Sequence, residues 1–243
     1  MQPHFLFNAL NALSYLIETD PAAAQRFTER LADMLRYTVQ AGERPAALLA
    51  EEIGFVEDYL GVARERYENP LCFEYVGPPE LLSTAVPPLL LQPLVENSLK
   101  YGRGPGLAPL HLALEAGCEG GWLTLVFRDD GTPEGNGGRG LGVGLDNLAQ
   151  RVRRFAGPDS AFTTSRLAGG GFAVTMRWRS DGASCPEGAD IAGAAGGAIA
   201  TAASAGPRVP DLPGAAHGAN GTGTAHGANG VDATHGAKGA GAA

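Results

Sequence analysis

Apolar positions in the first part of the chain recur at helical spacing. Phe5, Leu6, Leu10, Leu13, Leu16 and Ile17 form one series, and intervals of three and four residues bring side chains to a common helix face. Asp20-Pro21 then has the form of an N-cap followed by proline at the first helical position. Phe27, Leu31, Met34, Leu35 and Thr38 predict a second helix, which Gly42 is placed to stop. A third is predicted over residues 49–67, with Ile53, Val56, Leu60 and Ala63 on its buried stripe. Glu51 and Glu52 fall in its first turn, where the helix dipole favours negative charge.

The pattern changes near Asn69-Pro70. Residues 71–76 read as a strand, and Pro87-Pro88 opens a helix predicted to reach Tyr101. Residues 110–115 and 122–128 read as strands joined by the turn Glu119-Gly120-Gly121. A glycine-rich loop over 131–144 leads to a helix over 145–155. Strands at 161–165 and 172–178 follow, joined by Gly169-Gly170-Gly171. This order predicts an α+β chain: a helical region at 1–80, then at 81–179 an α/β sandwich with helices on one face of a sheet. From about 180 to 243 the bulky apolar residues give out, and a degenerate His-Gly-Ala repeat appears, as in Ala216-His217-Gly218-Ala219-Asn220-Gly221. Such composition predicts disorder, because it has too little apolar surface to offset chain entropy.

Composition narrows the function. A net charge of −8 argues against a broad nucleic-acid footprint. No apolar run approaches the length that spans a bilayer, and the apolar start lacks the basic region of a signal peptide. Cys72, Cys118 and Cys185 are scattered without CxxC spacing, which predicts free thiols in a reducing, cytoplasmic setting.

Four segments carry candidate chemistry. His4 stands near a helix start with apolar neighbours, and a neutral imidazole nitrogen is a competent phosphoryl acceptor. A lone histidine is more often structural. Asn97, Lys100 and Tyr101 share a helix face at i, i+3 and i+4. An amide oxygen there suits Mg²⁺ and an ammonium suits phosphate, although a solvated polar face has the same spacing. Asp129 ends an apolar strand in Asp129-Asp130-Gly131, where a carboxylate can accept from an adenine amino group and Gly131 permits close approach; an ordinary turn reads the same. Finally, Gly138, Gly140, Gly142 and Gly144 alternate up to a helix at Leu145, presenting backbone N–H groups to phosphate. The GxGxxG formed by Gly135, Gly137 and Gly140 lacks the strand that leads into a dinucleotide fold, and no GxxxxGK[ST] is present.

Order and spacing together are far more specific than any one segment. From Gln2 to Trp178 the chain resembles the LytS/YehU-type sensor histidine kinases. His4-Phe5-Leu6-Phe7-Asn8-Ala9-Leu10-Asn11 is similar to that family's phosphoacceptor box, and Leu91-Gln92-Pro93-Leu94-Val95-Glu96-Asn97-Ser98-Leu99-Lys100 to its N box. Asp129-Asp130-Gly131 and Gly140-Leu141-Gly142-Val143-Gly144-Leu145 resemble the two glycine boxes of the Bergerat (GHKL) ATP fold, and Gly170 to Met176 its closing strand. The resemblance implies that His4 takes the γ-phosphoryl of ATP. Asn97 would hold Mg²⁺ with Lys100 and Tyr101 near the phosphates, Asp129 would read adenine above Gly131, and Gly140, Gly142, Gly144 and Leu145 would line the nucleotide. It further implies a homodimer through the helical region and transfer to an aspartate of a response regulator, often one with a LytTR DNA-binding domain. Hydrolysing relatives of the fold carry a glutamate four residues before the N-box asparagine; Pro93 stands there, so transfer is expected over hydrolysis.

The chain departs from the family pattern at Tyr101, where histidine is usual, and at Pro133, where a glycine is usual. Both bear on nucleotide affinity and favour the competing reading, a nucleotide-binding pseudokinase that acts as a scaffold. His4 lies almost at the first residue, whereas the family's phosphoacceptor helix continues upstream, behind sensory and often membrane-spanning segments. The chain is therefore expected to be a fragment or to have its start assigned late, and to bind ATP while autophosphorylating poorly.

Overall fold

Helix α1 (Pro3–Thr19) hands over to α2 (Pro21–Ala41) at a single residue. Asp20 is the N-cap: its carboxylate accepts from the Ala23 N–H at 3.0 Å, and Pro21 begins the helix without needing a partner for a missing N–H. The computed structural model describes residues 3–64, 70–102, 109–131, 141–168 and 170–180, with side chains from Phe5 onward in α1 and from Gly144 onward in the fifth helix. All of these belong to one unit, Met1–Ala203. A second unit, Ser204–Ala243, and with it the predicted tail and repeat, lies outside the described residues.

Strand β1 (Ala47–Leu48) precedes α3 (Leu49–Arg64), whose start is capped by Glu51 accepting the Leu48 N–H at 2.8 Å. Helices α2 and α3 run antiparallel, since Tyr37 meets Glu52 near one end and Arg30 meets Gly61 near the other. Met34, Leu49, Val56 and Leu60 are fully buried, so the packing of these helices rests on tightly enclosed apolar side chains. Gly42 follows α2 as anticipated, but in a right-handed conformation with φ of −67°. The last predicted turn of α3, residues 65–67, lies outside the described residues.

After β2 (Leu71–Val76) come a 3₁₀ turn (Pro79–Ser83), β3 (Ala85–Val86), α4 (Gln92–Tyr101), β4 (Leu110–Glu119), β5 (Trp122–Asp129), α5 (Leu141–Ala156), β6 (Ala161–Arg166) and β7 (Phe172–Arg179). Strands β1 and β3 pair with each other; neither is evident in the sequence. The main sheet has the order β2-β4-β5-β7-β6, with β2 parallel to β4 and the remaining pairs antiparallel. The β4–β5 hairpin turns on Gly120 and Gly121, at φ of +56° and +79°, a backbone region that glycine enters without strain.

The strand alternation places Leu123, Leu125, Phe127 and Asp129 on one face of β5, with Val174, Met176 and Trp178 beside them on β7. This face packs with Leu94 and Leu99 of α4 and Leu145, Leu148 and Val152 of α5 in a core continuous with that of the helices. Phe155 meets Trp178 edge-on at 6.4 Å between ring centroids. The mixed α/β architecture with a five-stranded sheet is that expected from the sequence. Two boundaries differ. Helix α4 starts at Gln92 rather than at Pro87-Pro88, because proline keeps its predecessor out of the helical region and Leu89 is left-handed, with φ of +56°. Residues 141–144, expected in the glycine-rich loop, form the first turn of α5. Cys72 is an exposed free thiol, but Cys118, expected to be free, is disulfide-bonded.

Candidate functional site

Helix α4 turns Leu94, Val95, Ser98 and Leu99 inward and leaves Asn97 half-buried on its flank. The Nδ2 atom of Asn97 is buried and donates to nothing among the described residues. A buried donor without an acceptor costs roughly 1–3 kcal/mol, so it is a place where a ligand oxygen would be welcome. Glu96, to which the sequence assigns no role, accepts from Gln92 at 2.8 Å along the same helix. Lys100 is exposed and its ammonium lies 4.8 Å from the centroid of the half-buried Tyr101 ring, a cation–π contact at the helix end.

Asp129, at the end of β5, is brought against α4. Its Oδ2 accepts from the Ser98 hydroxyl at 2.6 Å and its Oδ1 from the Gly131 N–H at 3.1 Å. Burial pushes its carboxyl above the usual range, while Ser98 and the N–H groups of Gly131 and Phe172 pull it back. The neighbouring Asp130 is tied outward: its carboxylate accepts from the His111 N–H at 2.8 Å.

Two glycines let backbone segments pack closely around the Asp129-Asp130-Gly131 turn. A Cβ on Gly131 would lie 2.3 Å from the Gly102 Cα, and one on Gly171 would lie 2.0 Å from the Asp129 carbonyl oxygen. The Asp-Gly turn is therefore wedged against the end of α4, and Gly131's close approach is to Gly102. Within α5, Gly142 and Gly144 occupy the first turn, and a Cβ at Gly144 would meet open space. Leu145 is buried in the core, whereas Gly140 and Pro133 lie outside the described residues. His4 is in the first turn of α1, and the following Phe5 stacks on Tyr59 of α3 at 4.4 Å.

The structure thus brings Asp129 and Gly131 against α4 through Ser98 and Gly102, with Asn97 preceding Ser98 and with Lys100 and Tyr101 at the end of the same helix. Ser98, Gly102 and Gly171 join them without a signal of their own in the sequence. A serine next to the asparagine and a glycine after Tyr101 are visible there, but only the β5–α4 contact gives them partners. Among the described residues no group of three or more His, Cys, Asp or Glu could hold a metal. Mg²⁺ would fit here only with phosphate oxygens and water completing the oxygen shell around the Asn97 amide, as is usual for that ion.

The fold and site define a class: a helical pair joined to an α/β layer that holds a buried aspartate and an unsatisfied asparagine at one helix. Residues 1–71 match the family model for histidine kinase. The sensor histidine kinase BtsS of Escherichia coli is 30% identical over 185 residues, covering 74% of this chain and 32% of that protein. The sensor protein kinase HptS of Staphylococcus aureus is 33% identical over 102 residues, 42% of this chain and 20% of that protein. Both relatives carry the name of a sensor kinase, and this chain spans about a third of the length of BtsS. A histidine kinase domain from the blue-light-activated histidine kinase of Erythrobacter litoralis is 17% identical, with a TM-score of 0.40 over 67% of this chain and 82% of that chain.

Proposed function

We propose that this chain is the catalytic portion of a sensor histidine kinase that binds ATP and phosphorylates His4. The carrying observation is the buried Asn97 Nδ2, without a partner among the described residues, on the helix whose Ser98, with Gly131, fixes the Asp129 carboxylate. Asp129 would accept from the adenine amino group. Asn97 would meet the phosphates and their Mg²⁺, and Lys100, exposed on the same helix, would leave the Tyr101 ring to neutralise phosphate charge. Gly140, Gly142 and Gly144 would supply N–H donors at the start of α5, where the helix dipole favours anions. Mg²⁺ would contribute charge neutralisation on the phosphates. Transfer needs mainly positioning: a neutral His4 nitrogen bonds to the γ-phosphorus as the bond to the bridging oxygen breaks and ADP leaves.

Residues 1–80 would form the dimerisation and phosphoacceptor region, except that β2 pairs with β4 and so belongs with the ATP-binding domain of residues 81–179, and 180–243 would form a tail. Phe7, Tyr15 and Val39 are each 68% exposed, and Leu10, Ile17 and Leu35 are exposed near them in α1 and α2. Apolar residues in such number on two adjoining helices support a homodimer. The phosphoryl group would pass to an aspartate of a response regulator, with a LytTR DNA-binding domain as the family suggests. No helix among the described residues is long and apolar enough to cross a membrane. A cytoplasmic site of action belongs to the same reading. The test is transfer from γ-labelled ATP with Mg²⁺ to wild type, His4→Gln and Asn97→Asp. Weak, acid-labile, base-stable label that disappears in both variants is expected. Bound nucleotide without label in wild type would sink the kinase and leave a scaffold.

A further inference from the structure

The turn that opens α4 is held by side chains from three other helices, and none of the roles above uses them. Leu89 adopts φ of +56°, a left-handed conformation that costs a residue with a Cβ roughly 1–3 kcal/mol. Its N–H donates to Oε1 of Glu52 at 2.5 Å, and the Leu91 N–H donates to Oε2 at 2.9 Å. Glu52 lies in α3, is fully buried, and takes a third bond from the Tyr37 hydroxyl of α2 at 2.5 Å. Every partner is a donor and both oxygens accept, so the ionised carboxylate is the form the geometry suits. On the other side, Nη1 of Arg151 in α5 donates to the carbonyls of Pro88 and Leu89 at 3.1 and 2.7 Å.

Leu90 and Leu91 are fully buried, but Leu89 is only half-buried and its left-handed backbone is held by hydrogen bonds. A cavity of about 450 Å³ opens onto it, lined by Pro88, Leu89 and Arg151 together with Ala41, Arg44 and Phe155. Apolar neighbours on that side do not fix the backbone, and the left-handed Leu89 needs the bonds from Glu52 and Arg151 to persist. The turn also leads directly into the site. Leu91 accepts from the Leu94 and Val95 N–H groups at 3.1 and 3.0 Å, which starts α4, and Asn97 follows on the next turn of the helix. Arg151 stands on the helix whose first turn carries Gly142 and Gly144.

We propose that Tyr37, Glu52 and Arg151 are positioning residues that key the nucleotide site to the α2–α3 helical pair, linking nucleotide binding to the conformation of that pair. Shifting α2 or α3 moves the Glu52 carboxylate, which releases Leu89 and re-aims Asn97 relative to the start of α5. Linkage is reciprocal, so nucleotide at Asn97 must in turn steady the Tyr37 end of α2. The inference rests on the reading of Asn97 and Asp129 as a nucleotide site.

The experiment uses the 243-residue chain with ADP and Mg²⁺ as probe, reading affinity by calorimetry and amide hydrogen exchange over residues 34–41. In wild type, ADP is expected to slow exchange there. Tyr37→Phe keeps the ring that packs on Phe55 at 5.4 Å and removes only the hydroxyl. It should weaken ADP about three- to tenfold and abolish the added protection. Arg151→Met, at a half-buried position, should weaken ADP similarly, and Arg151→Lys, which keeps a donor, should recover most of the loss. Variants that bind ADP as wild type does, with the same protection of α2, overturn the linkage while leaving the nucleotide site intact. A wild-type chain that binds no ADP overturns both, and the two failures are told apart by wild type alone.

Discussion

Two buried carboxylates, Asp129 in the sheet layer and Glu52 in the helical pair, have much in common and do different things. Burial pushes both upward from the ordinary carboxyl range, and backbone N–H groups pull both back. Glu52 is saturated by donors from elsewhere in the chain, Tyr37 fifteen positions away and Leu89 and Leu91 thirty-seven and thirty-nine away. Asp129 is held by Ser98 and by Gly131 two residues on, and Asn97, which precedes Ser98 on α4, carries a donor with no acceptor among the described residues. A saturated carboxylate fastens the fold, whereas one bonded to a helix with an unfilled polar atom marks a place for a ligand. Burial and a raised carboxyl by themselves do not separate the two cases; the state of the neighbours does.

The comparison breaks most visibly at Glu52. Glu52→Ala leaves the Leu89 and Leu91 N–H groups and the Tyr37 hydroxyl without an acceptor, and should cost roughly 3–5 kcal/mol in denaturant unfolding. Asp129→Asn keeps an acceptor and can still pair with Ser98. Its stability loss should stay near 1 kcal/mol while ADP affinity falls about tenfold to a hundredfold by calorimetry, the range of a charge-assisted hydrogen bond. Equal stability losses in the two variants would erase the distinction. Gly131→Ala drives a methyl group into the Gly102 backbone, at 2.3 Å from its Cα. It should destabilise by about 1–3 kcal/mol as an overpacked site, seen as a lowered melting temperature, and weaken ADP as well.

The smallest expected effect belongs to a third carboxylate, which is neither saturated nor open to a ligand. Asp58 of α3 is raised to about 6 by burial and by Asp33 of α2, with Arg30 opposing and Glu57 adding to the rise. Because the folded form holds its proton more tightly than the unfolded chain, its contribution is present below about pH 4 and lost as pH rises through 6. Asp58→Asn should therefore stabilise the chain at pH 7.5 by about 1 kcal/mol after solvent screening, and by nothing near pH 4. Melting temperatures of the two proteins across that range are the check; a gap that persists at pH 4 would remove titration as its cause.

Much of this architecture is legible in the order of residues alone. The apolar series from Phe5 to Leu16 and from Phe27 to Met34 mark α1 and α2, and Asp20-Pro21 marks the break between them, because capping acts within one turn. Strand alternation and paired glycines locate β4, β5 and their hairpin. Asn97 and Asp129 stand out by residue type at the right places, the flank of a helix and the end of a strand. Glu52 reads in the sequence only as an acid in a helix's first turn, since nothing near it in the chain reveals a partner thirty-seven residues away. The start of α4 is hidden for the same reason: Pro87-Pro88 looks like a helix opening until Glu52 and Arg151 hold Leu89 left-handed.

By itself the sequence determined the elements and the chemical types at the site, because hydrophobic period, caps and turn residues act over a few neighbouring positions. Only the tertiary structure decided which polar groups are satisfied and which are left waiting. Whether a buried donor has an acceptor depends on segments that meet in space, as Ser98 meets Asp129 and as Glu52 meets the turn at Leu89.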